Sequence, residues 1–149
     1  MATTPPYGAY AAIAGTFLGG LAGAGALARA LDRDAYEHSA LDLATLALAT
    51  FKAARTISRD PVASFLREPF VEEHAHHGEE HARETGGFEQ ALGELVTCTR
   101  CAGTWMAAGL GATQIVAPRF GRLLTWTLGA AALNDFLQAG FASLGRRAG

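Results

Sequence analysis

At 149 residues the chain has the size of a single domain. Thirty-two alanines and 18 glycines fill 50 of its positions, and charged residues make up only 17%, against roughly 25% in soluble domains. A balance of 12 basic to 14 acidic residues excludes a general cationic face for nucleic acid. Two cysteines exclude a disulfide scaffold, and 50% hydrophobic residues exclude intrinsic disorder.

The first predicted element is a helix within Met1–Ala28, a stretch with no charged side chain. Residues 10–28 are almost wholly Ala, Gly, Leu, Ile and Phe, and about 19 helical residues cover close to 30 Å, the thickness of a hydrocarbon core. No Lys or Arg precedes this run, so it is expected to be a retained span and not a cleaved leader. A second span is expected at residues 39–57, the weakest of four. It contains Asp42, Lys52 and Arg55, whose charges must reach an interface. Residues 58–100 follow, rich in Glu, His and Arg and broken by Pro61, Pro69 and Gly86–Gly87, which reads as a polar segment. Within it Phe88, Leu92 and Leu95 share one face of a short amphipathic helix. Residues 101–118 and 123–144 complete the set as a helical hairpin, turning at residues 117–121.

The expected fold class is therefore all-α: a small polytopic membrane protein of about four transmembrane helices, in a single integral membrane domain over 1–149. Placing the 58–100 segment in the cytoplasm puts eight Lys and Arg inside and four outside, which predicts a multi-pass protein of the cell membrane with both termini cytoplasmic.

Small residues recur at helical spacing. Gly15, Gly19 and Gly23 form two overlapping GxxxG steps, and similar faces occur at Gly103, Ala107 and Gly111 and at Gly121, Thr125 and Gly129. Faces without large side chains let helices approach closely, where packing replaces the hydrophobic drive that lipid removes. These faces are expected first to pack within the four-helix unit and next to mediate association.

Chemistry concentrates in Cys98-Thr99-Arg100-Cys101. Two thiols three residues apart at a helix start can share a metal or cycle between dithiol and disulfide. A tetrahedral zinc site needs two further ligands, and His77 and His81, at i and i+4, are the candidates to supply them, with His74 a turn earlier. The same residues also suit a solvated acidic loop. No cofactor is expected on the leading reading, and zinc or copper on the alternative. Asp42 and Asp135 are polar groups at membrane depth. Asp135, with about ten apolar or neutral neighbours on either side, calls for a Lys or Arg partner on another span or for a place on an ion or lipid path.

Two boxes resemble the bacterial membrane-protein family known as domain of unknown function 1360. One is Phe51-Lys52-Ala53-Ala54-Arg55-Thr56-Ile57-Ser58-Arg59-Asp60 with Pro61, Leu66-Arg67 and Pro69-Phe70; the other is Glu94-Leu95 through Cys98, Cys101, Gly103 and Trp105. Thr104, Arg100 and Ala102 depart from that pattern, and the 71–87 segment and the first span have no counterpart in it. The resemblance implies a small multi-span protein without an established reaction, and it marks Arg55, Arg59, Asp60, Arg67, Glu94, Cys98, Cys101, Gly103 and Trp105. Charge placement suggests that Arg55, Arg59 and Arg67 meet lipid phosphates, with Asp60 and Glu94 pairing with them.

No nucleophile-base-acid set, phosphate loop or dinucleotide fingerprint occurs, so an enzyme is not expected. The leading expectation is a structural or accessory subunit that packs against itself or a larger membrane partner, touching membrane lipids and no nucleic acid. A thiol or metal protein built on the CxxC pair is the alternative, and a small ion or lipid pathway through Asp42 and Asp135 is third.

Overall fold

The computed structural model describes residues 5–33, 39–72 and 80–148, and within them the chain is helical. Helix α1 spans Tyr7–Ala30 and carries no charge until Arg29 in its last turn, where a cation favours the negative end of the helix dipole. The chain then leaves through Asp32, in the left-handed region at φ 51°. Helix α2, Ala40–Arg59, begins at a capping box. The Asp42 N–H donates to Ser39 Oγ at 3.1 Å, and the Ser39 N–H donates to Asp42 Oδ2 at 3.0 Å. Asp42 thus sits in the first turn of α2, with its carboxylate engaged in the Ser39 cap.

Asp60 caps the far end of α2, and Pro61 cannot continue the helix. The chain compacts there into a 3-10 turn at Pro61–Ala63, the one-turn helix α3 at Ser64–Arg67 and a second 3-10 turn at Glu68–Phe70. Val71 and Ala82 then form an antiparallel bridge. The expected amphipathic helix is present as α4, Phe88–Thr97. Cys98 ends α4 and caps α5, Thr99–Val116. Only Ala117 separates α5 from α6, Pro118–Ala148. The hairpin turn is therefore tighter than the five residues expected, because Pro118 opens α6 at the position where a missing N–H costs nothing.

Helix α2 lies at the centre, packed against both α5 and α6, which also pack against each other; α1 lies on α5 and α4. Phe51 of α2 stacks on Phe136 of α6, and Phe17 of α1 meets Trp105 of α5 edge-on, each with ring centroids 5.2 Å apart. Small residues set the helix spacing. A Cβ on Gly129 would sit 3.3 Å from Thr45 of α2, and one on Gly103 would sit 3.9 Å from Ala54. One on Gly121 would collide with the α5 backbone at Gln114, 2.6 Å away. Around Gly121 the hairpin is locked by Gln114 Nε2, which donates to the buried Thr125 Oγ1 at 3.0 Å. The first glycine face behaves differently. A Cβ added at Gly15, Gly19 or Gly23 would meet nothing within 4 Å, so the expected packing of that face inside the unit is corrected: α1 uses Phe17, not the glycines, against α5.

Side-chain size is inverted relative to a water-soluble bundle. Among the described residues, the buried hydrophobic side chains are Ala28, Ala49, Ala53, Ala54, Ala63, Ala91, Ala102 and Ala132, with Val71 and Leu110 the larger ones. Leu18, Leu43, Leu123, Trp126, Leu137 and Phe141 all point outward, at least half exposed. Among the described residues one helix, α1, is long and apolar enough to cross a membrane on length and composition alone, and it lies near the N-terminus.

Candidate functional site

The polar groups gather where α2 ends, α4 joins α5 and α1 begins. Arg67 of α3 is fully buried. Its Nη1 donates to the backbone oxygens of Ile57 at 2.7 Å and Asp60 at 3.1 Å, so a guanidinium satisfies carbonyls that α2 leaves open at its C-terminal end. Nη2 lies 3.5 Å from Oε1 of Glu80, whose side chain is 3% exposed. Arg67 therefore cannot reach a lipid phosphate, and that expectation is corrected: a planar, multi-donor cation is spent on tying α3 to α2. Arg55 and Arg59 do keep exposed side chains.

Lys52 forms a second knot. Its Nζ is 2.8 Å from Oδ2 of Asp135 on α6 and 3.8 Å from Oδ2 of Asp60, with side-chain exposures of 21%, 38% and 28% for Lys52, Asp135 and Asp60. Asp135 thus meets a lysine of another long helix. Thr56 Oγ1 donates to the same Asp60 oxygen at 2.9 Å, so Asp60 turns to a lysine and a threonine where pairing with an arginine was expected. Asp42 lies ten residues before Lys52, about 15 Å along the helix. The two aspartates of the supposed pathway are not brought together.

Glu94 is the third knot. Tyr10 Oη, near the start of α1, donates to Glu94 Oε2 at 2.5 Å, and Gln90 Nε2 donates to Oε1 at 2.9 Å. The Gly86 N–H donates to Gln90 Oε1 at 2.9 Å, extending the chain into the turn before α4. Glu94 therefore pairs with neutral donors, correcting the expectation of an arginine partner. One residue of its helix also requires glycine. A Cβ on Gly93 would stand 2.6 Å from the Phe70 carbonyl oxygen and 2.9 Å from the Ala82 Cβ, so α4 can lie on the Val71–Ala82 bridge only without one.

The cysteines sit one turn further on. Cys98 N–H donates to the Glu94 backbone oxygen at 3.1 Å, and the Cys98 Sγ accepts from the Cys101 N–H at 3.3 Å as the side-chain cap of α5. The sulfurs are 2.6 Å apart, with Cys98 half-buried and Cys101 exposed. Burial works against a Cys98 thiolate. The hydrogen bonds from Cys101 and Arg100 and the Arg100 charge outweigh it, and the Cys98 pKa falls below its ordinary value.

Of the histidines in the candidate metal site, His81 is the one among the described residues. His77, with His74, lies outside the described residues. His81 is exposed, and its backbone oxygen accepts from the Glu72 N–H at 3.1 Å in the clip that Arg83 closes onto Phe70 and Val71. Held there, His81 does not join the two thiols, and among the described residues no three His, Cys, Asp or Glu side chains gather as metal ligands. Tyr10, Gln90 and Glu80 are members of these polar knots that the sequence patterns did not mark. The i, i+4 spacing of Gln90 and Glu94 was a readable signal; the contacts of Tyr10 and Glu80 join residues far apart in the chain and carried none.

A family model described as a protein of unknown function, DUF1360, matches residues 45–141. The chain is also 31% identical over 104 residues, 66% of its length and 88% of the relative's, to the sporulation protein YjcA of Bacillus subtilis (strain 168). No solved structure matches. The matched region holds the Lys52, Arg67, Glu94 and Cys98–Cys101 groups, whereas α1 and its Tyr10 precede it.

Proposed function

This chain belongs to the DUF1360 family of proteins of unknown function, and we propose that it is a multi-pass membrane protein acting as a structural or accessory subunit. The inverted packing carries this reading. A core of alanine and glycine under a surface of Leu, Phe and Trp is costly in water, where an apolar patch beyond a few hundred Å² marks an interaction surface. In a bilayer it costs little, because small residues let helices approach and large ones face lipid. The charge distribution agrees. Helix α6 carries Arg119 and Arg122 in its first turns and Arg146 and Arg147 in its last, with Asp135 between them salt-bridged to Lys52. At 31 residues it is about 46 Å long, enough to cross with both arginine pairs outside the hydrocarbon.

Four spans, α1, α2, α5 and α6, leave α3 and α4 on one side of the membrane. The Tyr10–Glu94 hydrogen bond supports this arrangement, since it brings the start of α1 to the same side as α4. By the excess of Lys and Arg there, that side is cytoplasmic. The unused Gly15–Gly19–Gly23 face of α1 supports association with a second copy or a larger membrane partner. Sporulation, the process in the relative's name, is one setting in which to seek that partner.

The test is alkaline-carbonate extraction followed by native mass spectrometry of the chain in detergent. Retention in the membrane pellet and a dimer, or a stoichiometric copurifying membrane protein, are the expected results. Release into the soluble fraction would overturn the membrane reading, and a bare monomer would overturn the accessory one.

A further inference from the structure

We propose that Cys98 and Cys101 form a reversible dithiol/disulfide site that exchanges electrons with an external disulfide, in addition to whatever scaffold role the helices play. The placement of the pair carries this. Cys98 occupies the break between α4 and α5, so its sulfur is held by the first turn of α5, where it accepts the Cys101 N–H and lies 2.6 Å from the Cys101 sulfur. Residues three apart at a helix start have Cα atoms roughly 5 Å apart, inside the window of about 4.4–6.8 Å that a disulfide spans without backbone movement. A pair kept apart by packing would have to unwind the turn. This one has only to draw its sulfurs together. Cys101 is exposed and Cys98 half-buried, so a second molecule has access to both.

The hydrogen bonds set the order of events. Cys98 is the sulfur that accepts, from a backbone N–H and from the Cys101 S–H, and these donors favour its thiolate over that of Cys101. The Cys98 thiolate attacks one sulfur of an external disulfide R–S–S–R; a Cys98–S–S–R bond forms, the R–S–S–R bond breaks, and one RS⁻ leaves. Cys101 then gives its proton to water, and its thiolate attacks Cys98 Sγ. The Cys98–Cys101 bond forms and the second RS⁻ departs. Two thiols of this chain are oxidised by two electrons, and one external disulfide is reduced to two thiols. The reverse sequence restores the dithiol. The external disulfide is of a low-molecular-weight thiol or of a protein, which the two arms below separate.

The full-length protein in detergent is equilibrated with graded ratios of reduced to oxidised glutathione or, in the second arm, with a scrambled-disulfide protein, then quenched with N-ethylmaleimide and weighed. The expected result is a two-electron transition between a doubly alkylated form and an unalkylated form two hydrogens lighter, reversed by excess dithiothreitol. Oxidation in either arm supports the site and names the source. Oxidation in neither arm overturns it. The Cys101→Ser variant should accumulate a mixed disulfide at Cys98 that the unaltered chain does not hold. Chains cross-linked through Cys98–Cys98 bonds in place of the internal bond would overturn the proposal, as would thiols shielded from alkylation until a chelator is added, which would point to a metal. The glutathione, scrambled-disulfide and chelator readouts do not depend on the oligomeric state, so failure there leaves the accessory-subunit reading standing.

Discussion

Replacing Gly121 with alanine tests the packing where it is tightest. A Cβ there would lie 2.6 Å from both N and Cα of Gln114 and 2.8 Å from the Thr113 carbonyl carbon, all backbone atoms of α5. Carbon atoms settle about 3.5–4.0 Å apart, so the mouth of the α5–α6 hairpin must open by about 1 Å. Opening it stretches the Gln114–Thr125 hydrogen bond, now 3.0 Å, a loss of about 1 kcal/mol, and the displaced packing adds about 1–3 kcal/mol. Alanine returns up to about 1 kcal/mol of helix propensity. The net is about 2 kcal/mol of destabilisation. Gly111→Ala is the matched control: it has the same propensity gain and nothing within 4 Å of the new methyl, so it should stabilise by up to about 1 kcal/mol. Denaturation of the detergent-solubilised protein by sodium dodecyl sulfate, followed by circular dichroism, measures both. If Gly121→Ala matched or exceeded the stability of Gly111→Ala, the close approach of α5 and α6 would be wrong.

Removing one partner of the Lys52–Asp135 pair should destabilise more than removing both. Asp135→Ala and Lys52→Met are each expected to cost about 1–3 kcal/mol, with a coupling of at least about 0.5 kcal/mol in the double variant by the same unfolding measurement. Arg67→Met removes the guanidinium hydrogen bonds to the Ile57 and Asp60 carbonyls and the ion pair with buried Glu80 and should cost about 3–5 kcal/mol, seen as poor expression or a collapsed melting temperature. Glu94→Gln keeps a hydrogen-bond acceptor for Tyr10, whereas Glu94→Leu does not, so only the leucine variant should expose α1 to limited proteolysis. Alkylation of Cys98 should persist below the ordinary thiol pKa of 9.0 because its pKa is lowered. Cys101→Ala removes a sulfhydryl donor and should move that rate profile to higher pH. Since the folded pKa lies below the unfolded one, the stabilisation this contributes is present above the unfolded value and lost as pH falls through the folded one.

The long helices were legible because their signals are local. Apolar runs and the break at Pro61 are each read within a few residues, and α4 followed from three apolar positions on one face; the Ser39–Asp42 cap was as local a signal but was passed over. What escaped was the direction in which polar groups turn. Arg67, Arg59 and Arg55 look alike in sequence, yet one is fully buried and the others are exposed, because burial of Arg67 is decided by carbonyls at the end of α2 and by Glu80 thirteen residues later. The Gly15, Gly19 and Gly23 face and the Gly121, Thr125 and Gly129 face are equivalent as patterns. Only the second meets another helix of this chain, and spacing on one helix carries no information about what lies opposite.

The three knots share a logic that composition could not express. Each places a costly polar group where two elements meet: Lys52 between α2 and α6, Arg67 between α3 and the end of α2, Glu94 between α4 and α1. A core of alanine and glycine offers little shape to fix register, since sliding one smooth helix along another changes few contacts. A charged or hydrogen-bonded pair does fix it, because displacement by one turn strands a polar group away from its partner at a cost of about 1–3 kcal/mol. Small residues thus permit the close packing and the paired residues select one alignment. Cys98 follows directly from this. Its position at the α4–α5 break is held by the hydrogen bond of its N–H to the Glu94 backbone oxygen on one side and, on the other, by α5 packed close to α2 at Gly103, where an added Cβ would come within 3.9 Å of Ala54, so the two thiols meet at a joint anchored from both sides.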